Sequence, residues 1–258
     1  MSVLIISGES YCRREEIARE SAEALGYDCY GREVLAEASR RYSIPEEKLD
    51  EALRDPSTLL NRFSNTRTRN LAYFQAALTA VLNRDNVVYY GNAGHMFVSE
   101  ISHVLTVRLM ADLQERTASK AEKEGLSEKK AQELLVRESE QRQKWFLSVF
   151  GVDGMEPGRF DLVINVAQIS PDRAASIIAE TAQDVKFQPI TYSVKAMQDQ
   201  ELASRVRAAL IEPYPDVTVT ARNGDISIKT KALKNKQKSI FIRDQVQGME
   251  GVSYVRLG

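Results

Sequence analysis

Hydrophobic positions in residues 1–185 fall by turns into short unbroken apolar runs and longer stretches with a period near 3.6, the pattern of alternating strands and helices. Val3 to Ser7, Asn86 to Gly91, His103 to Met110 and Phe160 to Asn165 are the apolar runs, and they predict buried strands of a mainly parallel sheet. Between them, Ile17, Ala18, Ser21, Ala22 and Leu25 share one face of a helix over residues 13–25, which Gly26 stops. Further helices are expected over Arg32 to Tyr42, the alanine-rich Asn70 to Leu82, Ala111 to Glu124, Ser127 to Phe146 and Pro171 to Gln183. Ser43 ahead of Pro45 and Glu46 reads as a helix N-cap with a first-turn proline, and its segment as a mobile cap over a site. The class is therefore α/β, a parallel sheet flanked by helices.

Around Phe187 to Pro189 the rhythm changes. A helix over Asp199 to Leu210, alternating strands over Val217 to Ala221 and Ile226 to Thr230, a helix over Lys236 to Val246 and a strand over Val252 to Leu257 predict a small αββαβ unit. Asn223-Gly224 is a strong two-residue hairpin turn. The expected division is residues 1–187 and residues 192–258. A unit this small buries too little surface to stand alone, and its open edge strands favour a protein partner or self-association.

Composition narrows the picture by exclusion. A formal net charge of −1 supplies no general attraction to nucleic acid, and no nucleic-acid partner is expected. Two cysteines, Cys12 and Cys29, with neither a CxxC nor a His cluster, make neither a zinc site nor a disulfide framework, so no metal ligand set is expected. Without an apolar run long enough to span a bilayer or a basic-then-apolar start, the expectation is a cytoplasmic protein with no transmembrane segment.

The chemistry concentrates where the first strand meets the first helix, at Gly8-Glu-Ser-Tyr-Cys-Arg-Arg-Glu-Glu16. A phosphate loop in this place needs a second glycine, a lysine and a hydroxyl, so that amides and a cation reach phosphate and the hydroxyl reaches magnesium. Counted from Gly8, those places hold Arg13, Arg14 and Glu15. Cys12, close to a helix start and two arginines, is expected to have a lowered thiol pKa. His95 and His103 are isolated, and Trp145 and Phe146 read as core anchors.

Taken together, Ile5 to Gly8 with its helix, Ala22 to Tyr27, Val87 to Gly91, His103 to Arg116 and Phe160 to Asn165 resemble the cytidylate-kinase-like family of nucleoside-monophosphate kinases. The tail resembles a BON domain in its element order, its Asn223-Gly224-Asp225-Ile226 turn and its closing Gly248 to Val252. The first resemblance implies a P-loop fold, ATP and Mg2+ as cofactors and a nucleotide or phosphorylated small molecule as ligand. It also implies that phosphate is met by Gly8, Ser10, Arg13 and Arg14 in the loop, by Arg116 after the third strand, and by Arg137 and Arg142 on a lid-like helix. Several family positions depart: Gly31 stands for an acceptor-side aspartate, Asn92 for an arginine, Ser139 for a lid aspartate, and Glu15 and Glu16 occupy the hydroxyl and magnesium region.

Three functions follow from these residues. The favoured one is a kinase fold with reduced or lost activity that binds a nucleotide or phosphate ligand, a pseudokinase. The others are an active, divergent ATP-dependent cytidylate kinase and a non-catalytic scaffold. The charge pattern also admits a plain surface, because Arg13 and Arg14 lie near Glu16 and Glu20, and Arg116, Arg137 and Arg142 lie among Glu115, Glu138 and Glu140.

Overall fold

The computed structural model describes residues 2–55, 65–98 and 101–258. They form two units. The first is built on β1 (Val3–Gly8), which is buried along its whole length and pairs in parallel with β3 (Val87–Tyr90) on one side and β4 (Val104–Met110) on the other. The edges are β2 (Asp28–Tyr30) beside β3 and β5 (Leu162–Asn165) beside β4, giving the order β2-β3-β1-β4-β5, all parallel. Covered on both faces, the central strands can be apolar at every position, which is why the chain shows runs there and no alternation.

Around this sheet lie α1 (Arg14–Leu25) and α8 (Pro171–Ala182), which pack on each other, the short α5 (Gly94–Phe97), and α6 (Leu113–Glu124) against α7 (Glu128–Phe150). Ile17 and Ala18 of α1, Leu4 and Ile6 of β1, Leu105 and Leu109 of β4 and Ile178 of α8 meet in one core. Helix ends follow local signals. Ser127 accepts from the Lys130 amide at 3.3 Å, Ser170 with Pro171 opens α8, and Gly26, Gly125 and Gly151 close helices with left-handed φ.

The second unit joins the C-terminal elements α9 (Thr191–Leu210), β6 (Thr218–Arg222), β7 (Asp225–Lys229), α10 (Lys236–Gln247) and β8 (Tyr254–Leu257) to most of α2 (Glu33–Tyr42) and α3 (Glu46–Arg54) and to α4 (Asn65–Leu82). Its sheet runs β6-β7-β8, with β6 and β7 antiparallel and β7 and β8 parallel. The αββαβ order stands, and Asn223 and Gly224, both at positive φ, make the expected hairpin turn. Packing of α4 on α9 gives the small sheet a helical layer. The Tyr42 and Tyr73 rings, 4.2 Å apart and stacked, tie α2 to α4 within it.

Some expectations need correction. Ser43 has φ 54, so it is the left-handed residue that ends α2, not the cap of α3. Helix α9 starts at Thr191, ahead of the expected Asp199, because the Ser193 hydroxyl accepts from the Ile190 amide at 3.1 Å and opens a turn that has almost no apolar period. Strand β2 is too short to print a pattern. Among the described residues no helix is long and apolar enough to cross a membrane.

Candidate functional site

The turn after β1 has a backbone of its own. Tyr11 and Arg13 hold φ 64 and 56, left-handed values that cost a residue with a side chain about 1 kcal/mol or more each. Gly8 has no such φ but no room either: a Cβ there would lie 2.7 Å from Cys12 Sγ and 3.0 Å from the Leu109 carbonyl. The turn is thus wound tightly over the end of β4. Helix α1 then starts with Arg13 in the cap position, where it supplies no side-chain acceptor, so the first amides of the helix keep their donors.

Onto this turn converge arginines from four elements. Arg14 and Arg142 donate to the Gly8 carbonyl at 3.2 and 2.6 Å, and Arg142 also reaches Ser10 Oγ at 3.4 Å. Arg116 of α6 donates to Glu9, and Arg108 of β4 lies 3.7 Å from the same carboxylate while donating to the Met155 carbonyl. Four guanidinium groups therefore gather at one turn, where Glu9 answers Arg116 and Arg108 and the Gly8 carbonyl takes Arg14 and Arg142. Among the described residues, no carboxylate pairs with Arg14 or Arg142, and the buried Nε atoms of Arg108 and Arg116 have no hydrogen-bond partner. Burial, then the charge of Arg14, pushes the Arg142 guanidinium down to about 10. A cation so placed gains most from an anion.

A lysine supports the rim. Lys120, buried on α6, pairs with Glu124 at 2.9 Å and Glu138 at 3.1 Å and lies 5.0 Å from the Tyr11 ring centre, while Tyr11 donates to Glu124. These contacts link the turn to α6 and α7.

Of the residues expected to meet phosphate, Gly8, Ser10, Arg14, Arg116 and Arg142 come together. Arg13 turns outward into a two-bond pair with Glu16 at 2.7 and 2.5 Å, and Arg137 is exposed on α7 outside the group. Glu9, Arg108 and Lys120 are the members that the sequence reading missed. An arginine inside the apolar run of β4 was the available signal for Arg108.

The other polar groups nearby are structural. His95, buried, donates to the Gly154 carbonyl at 2.8 Å and faces the Ser7 hydroxyl at 3.3 Å, with the Phe160 ring centre 4.5 Å away. Burial lowers its pKa to about 4, which makes the neutral ring part of the fold. Because the folded value lies below the ordinary 6.5, the unfolded chain takes up the proton first and stability drains away as pH falls from 6.5 toward 4. The loss expected from His95 between pH 7 and pH 5 is about 2 kcal/mol. Urea unfolding across that range checks it, and His95→Gln should flatten the slope. The Cys12 thiol is buried, donates to the Glu9 carbonyl at 2.9 Å and has its pKa raised by burial, which corrects the expectation of a reactive thiolate.

An anion fits this set of donors, whereas the carboxylates described beside them already face arginines. Glu15, at the family's hydroxyl position, is held by Arg19 at 2.9 Å, Glu16 by Arg13 and Glu9 by Arg116. Among the described residues no three His, Cys, Asp or Glu side chains gather as metal ligands. On the far side of β3, Gly31 permits the Tyr90 ring, since a Cβ there would fall 2.2 Å from it, and Arg19 reaches the Tyr90 hydroxyl at 3.3 Å. Burial, with Glu15 next, raises that hydroxyl to about 12, so it stays protonated.

Comparison with known proteins gives the same fold from a separate direction. A family model described as Cytidylate kinase-like family matches residues 3–168. The chain is 25% identical to a cytidylate kinase of Sulfolobus acidocaldarius over 177 residues, 68% of this chain and 91% of that one. It is 27% identical to a cytidylate kinase of Ignicoccus hospitalis over 180 residues, 69% of this chain and 97% of that one. A crystal structure of an uncharacterized protein from Eubacterium ventriosum superposes with TM-score 0.52 at 16% identity, covering 70% of this chain and 97% of its own.

Proposed function

Because the chain belongs to the cytidylate kinase-like family, we propose that its first unit holds the phosphate of a nucleotide or other phosphorylated small molecule on arginines, with phosphoryl transfer reduced or lost. The observation that carries this reading is the gathering of Arg14, Arg108, Arg116 and Arg142 at the turn after β1, where Glu9 is the carboxylate that meets two of them and the other two rest on the Gly8 carbonyl. Phosphate oxygens answer what those groups lack: they accept from the forks of Arg14 and Arg142 and from the first amides of α1, and neutralise the excess charge.

Transfer makes a further demand. Charge that builds on the moving phosphoryl group is met by precisely placed cations, normally including magnesium held by a hydroxyl and a carboxylate. At the start of α1 the corresponding side chains are glutamates that form exposed ion pairs with Arg13 and Arg19. Of the cofactors implied by the resemblance, the triphosphate of ATP suits the arginines, while among the described residues no cluster of acidic side chains gathers to hold Mg2+. The residues then bind and orient phosphate without completing the clamp.

The active-kinase reading draws on the relatives named cytidylate kinase, which align over 91% and 97% of their own lengths. A coupled ADP-release assay with ATP, Mg2+ and CMP or dCMP separates the two. We expect no turnover above the protein-free control. A kcat in the ordinary kinase range, roughly 1 to 100 s⁻¹, would replace this reading with that of an active enzyme. For the tail, the order α9, β6, β7, α10, β8 supports likening it to a BON domain that meets a protein partner.

A further inference from the structure

Strand β6 pairs only with β7, so it forms an open edge of the second unit's sheet. The two-residue turn Asn223-Gly224 makes Arg222 and Asp225 the closing pair of the hairpin, and in such a hairpin that pair exchanges both of its backbone bonds. Bonding then alternates, and Thr220 and Thr218 bond inward to β7. The N–H and C=O groups of Val219 and Ala221 therefore point away from the sheet. No described residue pairs with them.

Beside this edge runs a groove of about 1040 Å³, walled by β6 and by α9 residues spaced three or four apart. Its charge is one-sided. Lys195, Arg207 and Arg222 line it together with a single acid, Asp199, whose carboxylate is already taken by the amides of Asn223 at 2.7 Å and Gly224 at 3.1 Å. Arg207 donates to Gln75 Oε1 at 3.1 Å and, among the described residues, has no carboxylate partner. Burial alone lowers its pKa. The side chains of β6 alternate exposed and half-buried, with Val219 and Ala221 half-buried, as a strand does whose face is only partly covered.

We propose that this groove takes an extended acidic segment of a partner protein, which adds as a strand to the free edge of β6 and places a carboxylate on Arg207. Two unpaired amide and carbonyl sets supply main-chain bonds, and the basic wall selects the sign of the side chains. Lys195 and Arg222 at the groove's wall extend that selection to neighbouring carboxylates. The inference is independent of the phosphate site.

The test is selection of phage-displayed random decapeptides on the immobilised full-length chain, followed by fluorescence anisotropy of the enriched peptide. Enrichment of Asp and Glu alternating with β-branched or apolar residues is expected. Ala221→Pro removes the outward N–H while leaving the ladder to β7 intact, and should weaken binding by about tenfold or more with the circular dichroism unchanged. Arg207→Gln should weaken it by a similar factor and serves as the second variant if proline disturbs the sheet. Failure to enrich acidic sequences, or binding by the two variants as tight as by the parent chain, overturns the proposal. So does sedimentation of the chain as a dimer that Ala221→Pro dissociates, which would make the occupant a second copy.

Discussion

Glu9→Gln is expected to lower stability in phosphate-free buffer by about 3 kcal/mol and to make inorganic phosphate a stronger stabiliser of the variant than of the parent. Among the described residues Glu9 is the one carboxylate that answers Arg116 and Arg108, and the Arg116 side chain is only 5% exposed. Removing the acid leaves a buried guanidinium without its counter-charge, which costs far more than breaking a surface pair. An anion at the turn would supply the missing charge, and at a thousand times its Kd it returns about 4 kcal/mol. Urea unfolding with and without phosphate measures both effects. An unchanged midpoint, or equal stabilisation of both proteins, would mean that Glu9 does not balance the arginine group.

Trp145→Ala should cost about 3 to 5 kcal/mol, the range for truncating a large buried aromatic. The indole is 1% exposed and meets the Phe146 and Phe150 rings edge-on at 5.0 and 5.7 Å. Phe146 in turn fills the space over Gly154, where a Cβ would come within 2.1 Å of its ring. Arg142 stands one helical turn before these anchors, so their loss should also slacken its hold on Gly8 and weaken phosphate binding. Urea unfolding gives the first number and titration of phosphate the second. A loss under about 1 kcal/mol would show that α7 is held elsewhere.

Much of the fold is legible in the chain because its strands are either wholly covered or cleanly turned. Val3 to Ile6 carries only residues that suit a strand buried on both faces, and Asn223-Gly224 suits a tight hairpin. Arg14, Arg116 and Arg142, expected together from the resemblance, do meet at the turn after β1. What lay hidden depends on pairs far apart in sequence. Glu9 and Arg116 are separated by 107 residues, and nothing near Glu9 announces that its partners come from α6 and β4. Arg13 looked equivalent to Arg14 until the left-handed backbone at residue 13 turned it toward Glu16. The joining of α4 to the tail was hidden for a like reason: an alanine-rich helix says that it is buried, not by what.

The most direct test of the phosphate-site account is isothermal titration of ATP, CMP and dCMP into the full-length chain in EDTA, repeated on Arg142→Ala. The account predicts binding without magnesium by the parent chain and a loss of about tenfold or more in affinity in the variant, as expected when a charge-assisted contact to phosphate is removed. No heat with any nucleotide, equal affinity in the variant, or binding that appears only with magnesium would contradict it.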